Sequence, residues 1–350
     1  MTTLNSRLTW RKIAVLALLA SGLLVTVAPA QDRVYLKQGS PVLGEIKALD
    51  ANEVRILVRN KDEQQYPIAD LLKITFDGEP RELERARELM LQEQFEQALE
   101  EINKIAASSV SNPVVRQEIA FTKSYCEGRI ALAGTGDKKQ ASSGLLAVIS
   151  ANRNTHHLYP IAELLGELAF SSGENARPFF DKLATAPDPV MAARGKYHLA
   201  EVELSEQKPA EAKVHFQELV TAQSSTPEMT ELKNLAEVGL ATCDLAAGDA
   251  PSALRKLEAM IQKYDSTNLT LFAKIFNSQG ACFQALNQPE QALLSYLHTD
   301  LLFFAEPELH AEALYQLSKL WPEVGQAARA ADSRSRLVKQ YASSKWANMN

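Results

Sequence analysis

The sequence predicts a mostly α-helical protein: a solenoid of about seven helical hairpins behind a small all-β domain. Three observations predict it. A motif centred on a small residue recurs about every forty residues from position 98 onward. The stretch before position 80 instead shows short period-two runs between turn residues. The composition is rich in Ala and Leu, with 15 Gly and 15 Pro in 350 residues, and leans to helix. Hydrophobic residues make up 46% and charged residues 23%, so the chain can bury a core and is not wholly disordered. Setting aside residues 1–30, which hold Arg7, Arg11 and Lys12 and no acid, 34 basic side chains face 43 acidic ones. That balance lacks the basic patch that phosphate demands, so nucleic acid is not an expected partner.

Residues 1–30 read as an export signal. Positive charge alone occupies residues 1–12, and an apolar run follows from Ile13 to Val27. The run is short for a membrane span, which needs about 20 residues. Ala28-Pro29-Ala30 places small residues before Gln31, so cleavage after Ala30 is expected. An uncleaved anchor is the alternative. No Cys lies near the junction for a lipid attachment, and no second run approaches spanning length. The expected location is periplasmic or secreted. Cys126, Cys243 and Cys282 are odd in number and lie among apolar residues, so they read as buried free thiols.

Residues 31–78 read as the small β domain. The runs 33–37, 42–49, 54–58, 65–68 and 71–76 are β-prone. Gln38-Gly39-Ser40-Pro41, Asp50-Ala51-Asn52 and Asn60-Lys61-Asp62 supply the turns. Val34 to Ile46, followed by a turn and Val54-Arg55-Ile56-Leu57-Val58, resembles SH3-like or Sm-like small barrels. That resemblance implies a bent second strand. A domain this small buries little and is expected to lean on the helices after it.

Residues 81–346 read as the solenoid. Gln94-Phe95-Glu96-Gln97-Ala98-Leu99 is echoed at Gln288-Pro289-Glu290-Gln291-Ala292-Leu293, and the same shape recurs at 207–212 and 248–253. The markers Ala98, Ala141, Ala212, Ala253, Ala292 and Ala331 are separated by 43, 71, 41, 39 and 39. The gap of 71 holds a further unit around Gly166 and Ala176. About twelve residues upstream stands another small residue, as at Ala86, Ala200, Ala241 and Gly280. Four residues downstream stands a large one: Ile102, Phe216, Leu257 and Tyr296. Antiparallel helices approach closely only where small residues face each other, and the large residue fills the space toward the next hairpin.

Phe276, Gly280, Phe283, Ala292 and Tyr296, with Pro307 beyond the second helix, resemble the tetratricopeptide-repeat (TPR) consensus. The resemblance spans about three quarters of the chain. The ending Arg336-Leu337-Val338-Lys339-Gln340-Tyr341-Ala342-Ser343-Ser344-Lys345-Trp346-Ala347 resembles that of bacterial envelope repeat proteins. Those include the Tol–Pal coordinator and the outer-membrane assembly lipoproteins. Here Ala342 stands where that pattern has Pro.

The TPR resemblance implies a concave groove lined by the first helix of each hairpin. Carried over by position, it places Arg194, Tyr197 and Glu201 in the groove of one unit and Lys274, Asn277 and Gln284 in that of another. Ala98, Ala212, Ala253, Gly280, Ala292 and Tyr296 are the implied packing positions between helices. The Lys and Asn pair that some members use to clamp a C-terminal carboxylate is missing. Those places hold Tyr197 and Glu201, Val238 and Thr242, and Asn277 and Ala281.

No catalytic constellation is legible. None of the six His lies in H-E-x-x-H or pairs with Cys at metal spacing, and no C-x-x-C or G-x-S-x-G occurs. His156-His157 reads as a polar entry turn before a helix, with a metal contact as the alternative. Residues 133–139 carry two Gly and two Lys but follow a helix, so they read as an inter-helix loop rather than a phosphate cradle. Asn268-Leu269-Thr270 is a formal glycosylation sequon. No catalytic residue, metal or cofactor is therefore nominated. The expected function is an exported, non-catalytic scaffold or adaptor that binds a protein or peptide. Self-association within an envelope assembly, docked through the small barrel, is the alternative, and an enzyme of unfamiliar type is the remote one.

Overall fold

The computed structural model describes residues 31–349 apart from 60, 107, 109 and 225. The export signal expected over residues 1–30 lies outside the described residues. Five strands come first: β1 (Asp32–Leu36), β2 (Val42–Leu49), β3 (Glu53–Val58), β4 (Asp62–Pro67) and β5 (Leu71–Thr75). They form one antiparallel sheet in the order β4-β3-β2-β1-β5, with a 3-10 turn at Ile68–Asp70 between β4 and β5. The register of β2 against β3 shifts between Ile46 and Ala48, which bends the second strand as the barrel resemblance implied. At Gly44 a Cβ would fall 2.3 Å from the Leu57 carbonyl oxygen, so only glycine allows this approach. Val34, Val54 and Ile56 are fully buried at the centre of the sheet. Ile74 and Phe76 belong to a different core, shared with Leu83, Ala98, Ile102 and Ile119 of the helices. The sheet thus leans on the solenoid through its last strand.

Seven helical hairpins follow: α1 (Arg81–Leu91) with α2 (Phe95–Asn103), α3 (Pro113–Leu132) with α4 (Lys138–Ala151), α5 (Leu158–Ser172) with α6 (Arg177–Ala184), and α7 (Pro189–Ser205) with α8 (Pro209–Val220). Then come α9 (Pro227–Ala246) with α10 (Ala250–Lys263), α11 (Leu269–Ala285) with α12 (Pro289–Leu302), and α13 (Pro307–Glu323) with α14 (Ala327–Gln340). A short α15 (Lys345–Asn348) closes the described chain. The helix starts are written locally. Asn112, Asp188 and Thr226 accept a hydrogen bond from the first-turn backbone of α3, α7 and α9, each with Pro at the next position. Asn268 does the same for α11, so the amide of the formal sequon is a helix cap.

Each hairpin turns on one residue of left-handed backbone: Glu93, Gly134, Gly173, Gln207, Gly248, Asn287 and Gly325. The small-residue contacts lie beside these turns. Ala98, Ala212, Ala253 and Ala292 have no exposed surface. A Cβ on Gly280 would come within 2.6 Å of the Tyr296 ring, and one on Gly166 within 2.3 Å of the Phe180 ring. In the last unit the marker Ala331 is exposed, Ala330 is half-buried and Ser333 is buried, so the repeat register slips at the end of the array. Cys126, Cys243 and Cys282 are free and buried. Burial pushes the Cys126 thiol up to about 12 and the Cys243 and Cys282 thiols up to about 11, so all three stay protonated and unreactive.

The array curves far enough to meet itself. Lys138, at the start of α4, donates to Ser171 Oγ at 2.9 Å, Glu308 Oε1 at 3.2 Å and the Ser343 carbonyl at 3.1 Å. Ser344 Oγ donates to the other Glu308 oxygen at 2.7 Å. The Lys345 ammonium sits 3.9 Å from the centre of the Phe170 ring. The second and third hairpins therefore touch the last one, and the concave face is enclosed. The terminal motif serves this end of the array. Leu337 and Ala347 are buried with Ala311 and Leu314, and Tyr341 and Trp346 pack over them. Arg336 pairs with Asp300, which also accepts from His310.

Candidate partner-binding face and junction cleft

The first helices of the hairpins send a mixed-charge lining into the enclosed face. Arg194 on α7 lies 3.3 Å from Glu163 on α5, and Arg129 on α3 lies 3.4 Å from Glu167. These four line a cavity of about 330 Å³ with Tyr125 and Phe95. His198 Nδ1 is 3.1 Å from Glu201, and its Nε2 is 3.9 Å from Glu163. Burial works against the His198 imidazolium, but the facing carboxylates of Glu163 and Glu201 outweigh it and raise its pKa to about 10. Lys274 on α11 reaches across α9 to pair with Glu201, and it also lies 5.3 Å from the Tyr197 ring centre. Burial disfavours both charges of that pair, and their mutual attraction reverses it: Glu201 is held well below the usual carboxylate range and Lys274 well above the usual lysine range. Glu312 on α13 is pushed up by burial.

All six groove residues read from the sequence reach neighbours on other helices or turns of the lining. Tyr197 is buried, with its hydroxyl 3.2 Å from Glu201. Asn277 is 3% exposed, and its Nδ2 donates to the Leu309 carbonyl at 2.9 Å and to Glu312 at 3.0 Å. Its Oδ1 has no hydrogen-bond partner. Gln284 accepts from the Tyr296 hydroxyl at 2.9 Å and lies 3.3 Å from Gln316 on α13. Gln284 thus links the packing residue Tyr296 to the next hairpin. Glu163, Glu167 and His198 escaped the sequence reading, because their spacing matches no motif and only superhelical curvature brings them together.

A second site lies where the sheet meets the solenoid. A cleft of about 800 Å³ opens between the β4–β5 connection, α1, α3, and the starts of α5 and α7. At its edge Arg87 on α1 makes two bonds to Glu79, at 2.7 and 2.8 Å, and one to Glu118 Oε2 at 3.1 Å. The other Glu118 oxygen faces His157 Nε2 at 2.9 Å and His156 Nε2 at 3.3 Å. The His157 ring stacks on Phe121, with centres 3.4 Å apart. Burial, then the neighbouring His157, pushes His156 down to about 3, so it is neutral at physiological pH. Burial opposes the Glu118 charge, but His157, His156 and Arg87 together hold it below the usual carboxylate range. The two histidines form the expected entry turn, with His157 at the N-cap of α5. Both rings turn inward onto α3, because α3 and α5 pack side by side and bring a buried carboxylate under them. The adjacent histidines were visible in the sequence, whereas nothing in the spacing pointed to Glu118.

The architecture defines a TPR-like α-solenoid with an N-terminal five-stranded antiparallel sheet. Among solved structures, the chain is similar to a tetratricopeptide repeat protein from Parabacteroides merdae ATCC 43184, at 14% identity and a TM-score of 0.52, covering 74% of this chain and 92% of that one. It also aligns with a Rap protein complexed with competence and sporulation factor, at 15% identity and a TM-score of 0.49, covering 76% of each. At these identities the first likeness supports the fold. No protein-family model matches the chain, and no curated protein matches it.

Proposed function

We propose that this chain is an exported, non-catalytic TPR-type scaffold that takes a protein or peptide partner on its enclosed concave face. The observation that carries the reading is the lining of that face. Charged groups of both signs project inward from successive first helices, and Asn277 presents a buried acceptor with no partner of its own. Export rests on the signal-like residues 1–30, and an envelope location on that segment together with the terminal motif. Among the described residues no helix is long and apolar enough to cross a membrane.

The test is a crosslinked pull-down from the host's envelope fraction, with wild type beside Lys274→Glu and Asn277→Ala. A dominant partner crosslinked to first-helix residues and lost in both variants is the expected result. Capture that ignores both variants overturns the concave-face reading. Mass spectrometry of the intact exported protein should give a chain starting at Gln31.

One observation favours self-association as a second reading. Leu294, Leu301, Leu302 and Phe304 lie at or just beyond α12 with more than half of their surface exposed: 56%, 64%, 59% and 56%. Single exposed apolar residues need no explanation, but a cluster marks a contact surface. If it joins two copies, sedimentation of wild type should show a dimer and Leu301→Lys a monomer.

A further inference from the structure

The group under the sheet differs from the other acid–histidine clusters of this chain. Two consecutive residues, His156 and His157, aim the same atom, Nε2, at the same oxygen of Glu118. The three donor atoms lie within 4.8 Å of one another. In a tetrahedral zinc site with bonds of about 2.0–2.1 Å, neighbouring ligand atoms stand roughly 3.4 Å apart. The two observed His–Glu separations, 2.9 and 3.3 Å, are close to that edge length. The supporting shell is also in place. Phe121 fixes the plane of His157, and Arg87 holds Glu118 by its other oxygen.

The charge arrangement agrees. Arg87 is shared between two carboxylates and makes its two shorter bonds to Glu79. The Glu118 oxygen that faces the imidazoles is therefore left without a guanidinium contact of its own. The Glu163–Glu167–His198 cluster is the contrasting case. Arg194 and Arg129 each pair with one of its carboxylates, so a cation entering there would meet two guanidinium groups.

We propose that Glu118 Oε1, His156 Nε2 and His157 Nε2 bind one divalent transition-metal ion, zinc by their chemistry, at the edge of the junction cleft. Two imidazoles and a carboxylate suit zinc, whereas calcium and magnesium favour all-oxygen sets. Three protein ligands leave a fourth position for water or for a donor atom of whatever occupies the cleft. Glu118 lies on α3 and the histidines stand at the entry to α5, so the ion ties the second hairpin to the third beneath the sheet.

The experiment uses the full chain, free of any histidine tag and stripped with a chelator. Zn²⁺ is titrated by calorimetry, and Co²⁺ is followed by its visible absorption. One ion per chain is expected, with binding weakened more than about 100-fold in His157→Ala and in Glu118→Gln, and unchanged in His215→Ala. Glu79→Gln should weaken it roughly 10-fold by giving Arg87 wholly to Glu118. X-ray absorption of the zinc-loaded wild type gives a readout that needs no variant. It should show nitrogen and oxygen ligands at about 2.0–2.1 Å, with imidazole scattering and no sulfur shell near 2.3 Å. No stoichiometric binding, a sulfur shell, or loss of the ion with His198→Ala instead would each overturn the proposal.

Discussion

At the scale of the residue, His198 makes the sharpest statement about pH. It is faced by Glu163 and Glu167 from α5, by Arg194, Tyr197 and Glu201 from its own helix, and by the Phe180 ring from α6. Arg129 and Lys274 stand behind the acids. Its folded pKa of about 10 lies above the ordinary 6.5, so the folded state binds the proton more tightly than the unfolded chain. The stabilisation is complete below about pH 6.5 and is lost as pH rises through about 10. Thermal melting of wild type should therefore decline across that window, and His198→Gln should flatten the decline. Gly280 makes a steric statement. Alanine there puts its Cβ against the Tyr296 ring and should destabilise by about 1–3 kcal/mol, read by denaturant unfolding. The need for a small residue at 280 was legible from the repeat. The protonation of His198 was not: Glu201 stands one helical turn away, but Glu163 lies on another helix at a spacing no motif marks.

At the scale of the element, the hairpin turns are the informative feature. Four of the seven use Gly at the left-handed residue, while Glu93, Gln207 and Asn287 do not. Left-handed backbone costs an ordinary L-residue about 1–2 kcal/mol, and Gly gives back part of that gain through unfolded-state entropy. Gln207→Gly should therefore stabilise by roughly 0.5–1 kcal/mol, seen as a higher melting temperature with unchanged helicity. The caps act in the opposite sense. Thr226→Ala removes the acceptor for the Met229 amide and should cost about 1 kcal/mol. Strand and helix positions were legible because each depends on residues within one turn or one hairpin. The exception is the end of the array, where Ala331 continues the spacing of the marker yet faces solvent while Ser333 is buried. Among the described residues α14 is followed by the short α15, which is too small to bury a full repeat face.

At the scale of the whole molecule, closure of the array decides what the concave face can do. Lys138 joins residues as distant as Ser171, Glu308 and Ser343. Burial pushes its ammonium pKa down, against the pull of Glu308. Its charge is held by geometry that exists only when the ends meet. Lys138→Ala should loosen that contact, raising the radius of gyration in small-angle scattering while circular dichroism keeps its helical signal. An unchanged radius would mean that the hairpin stacking alone sets the curvature. A partner that enters the enclosed face must displace or share the Lys274–Glu201 and Arg194–Glu163 pairs. Because enclosed pairs are screened less than exposed ones, its affinity should fall with salt less steeply than exposed surface pairs would suggest.

The sequence by itself determined the strand runs, the helical character of the array, a count of about seven hairpins and the small residues between paired helices. Those features depend on local dihedral preference and on a repeat period that a linear string displays. Only the tertiary structure decided which side chains share a site. Glu118 meets His156 and His157, Glu201 meets Lys274, and Lys138 meets Glu308 because stacked hairpins curve by small increments. Those increments sum to contacts between residues 38, 39, 73 and 170 positions apart. Each increment is set by packing volume at every helix interface together. No single motif encodes it, so the residues it brings together leave no spacing of their own in the chain.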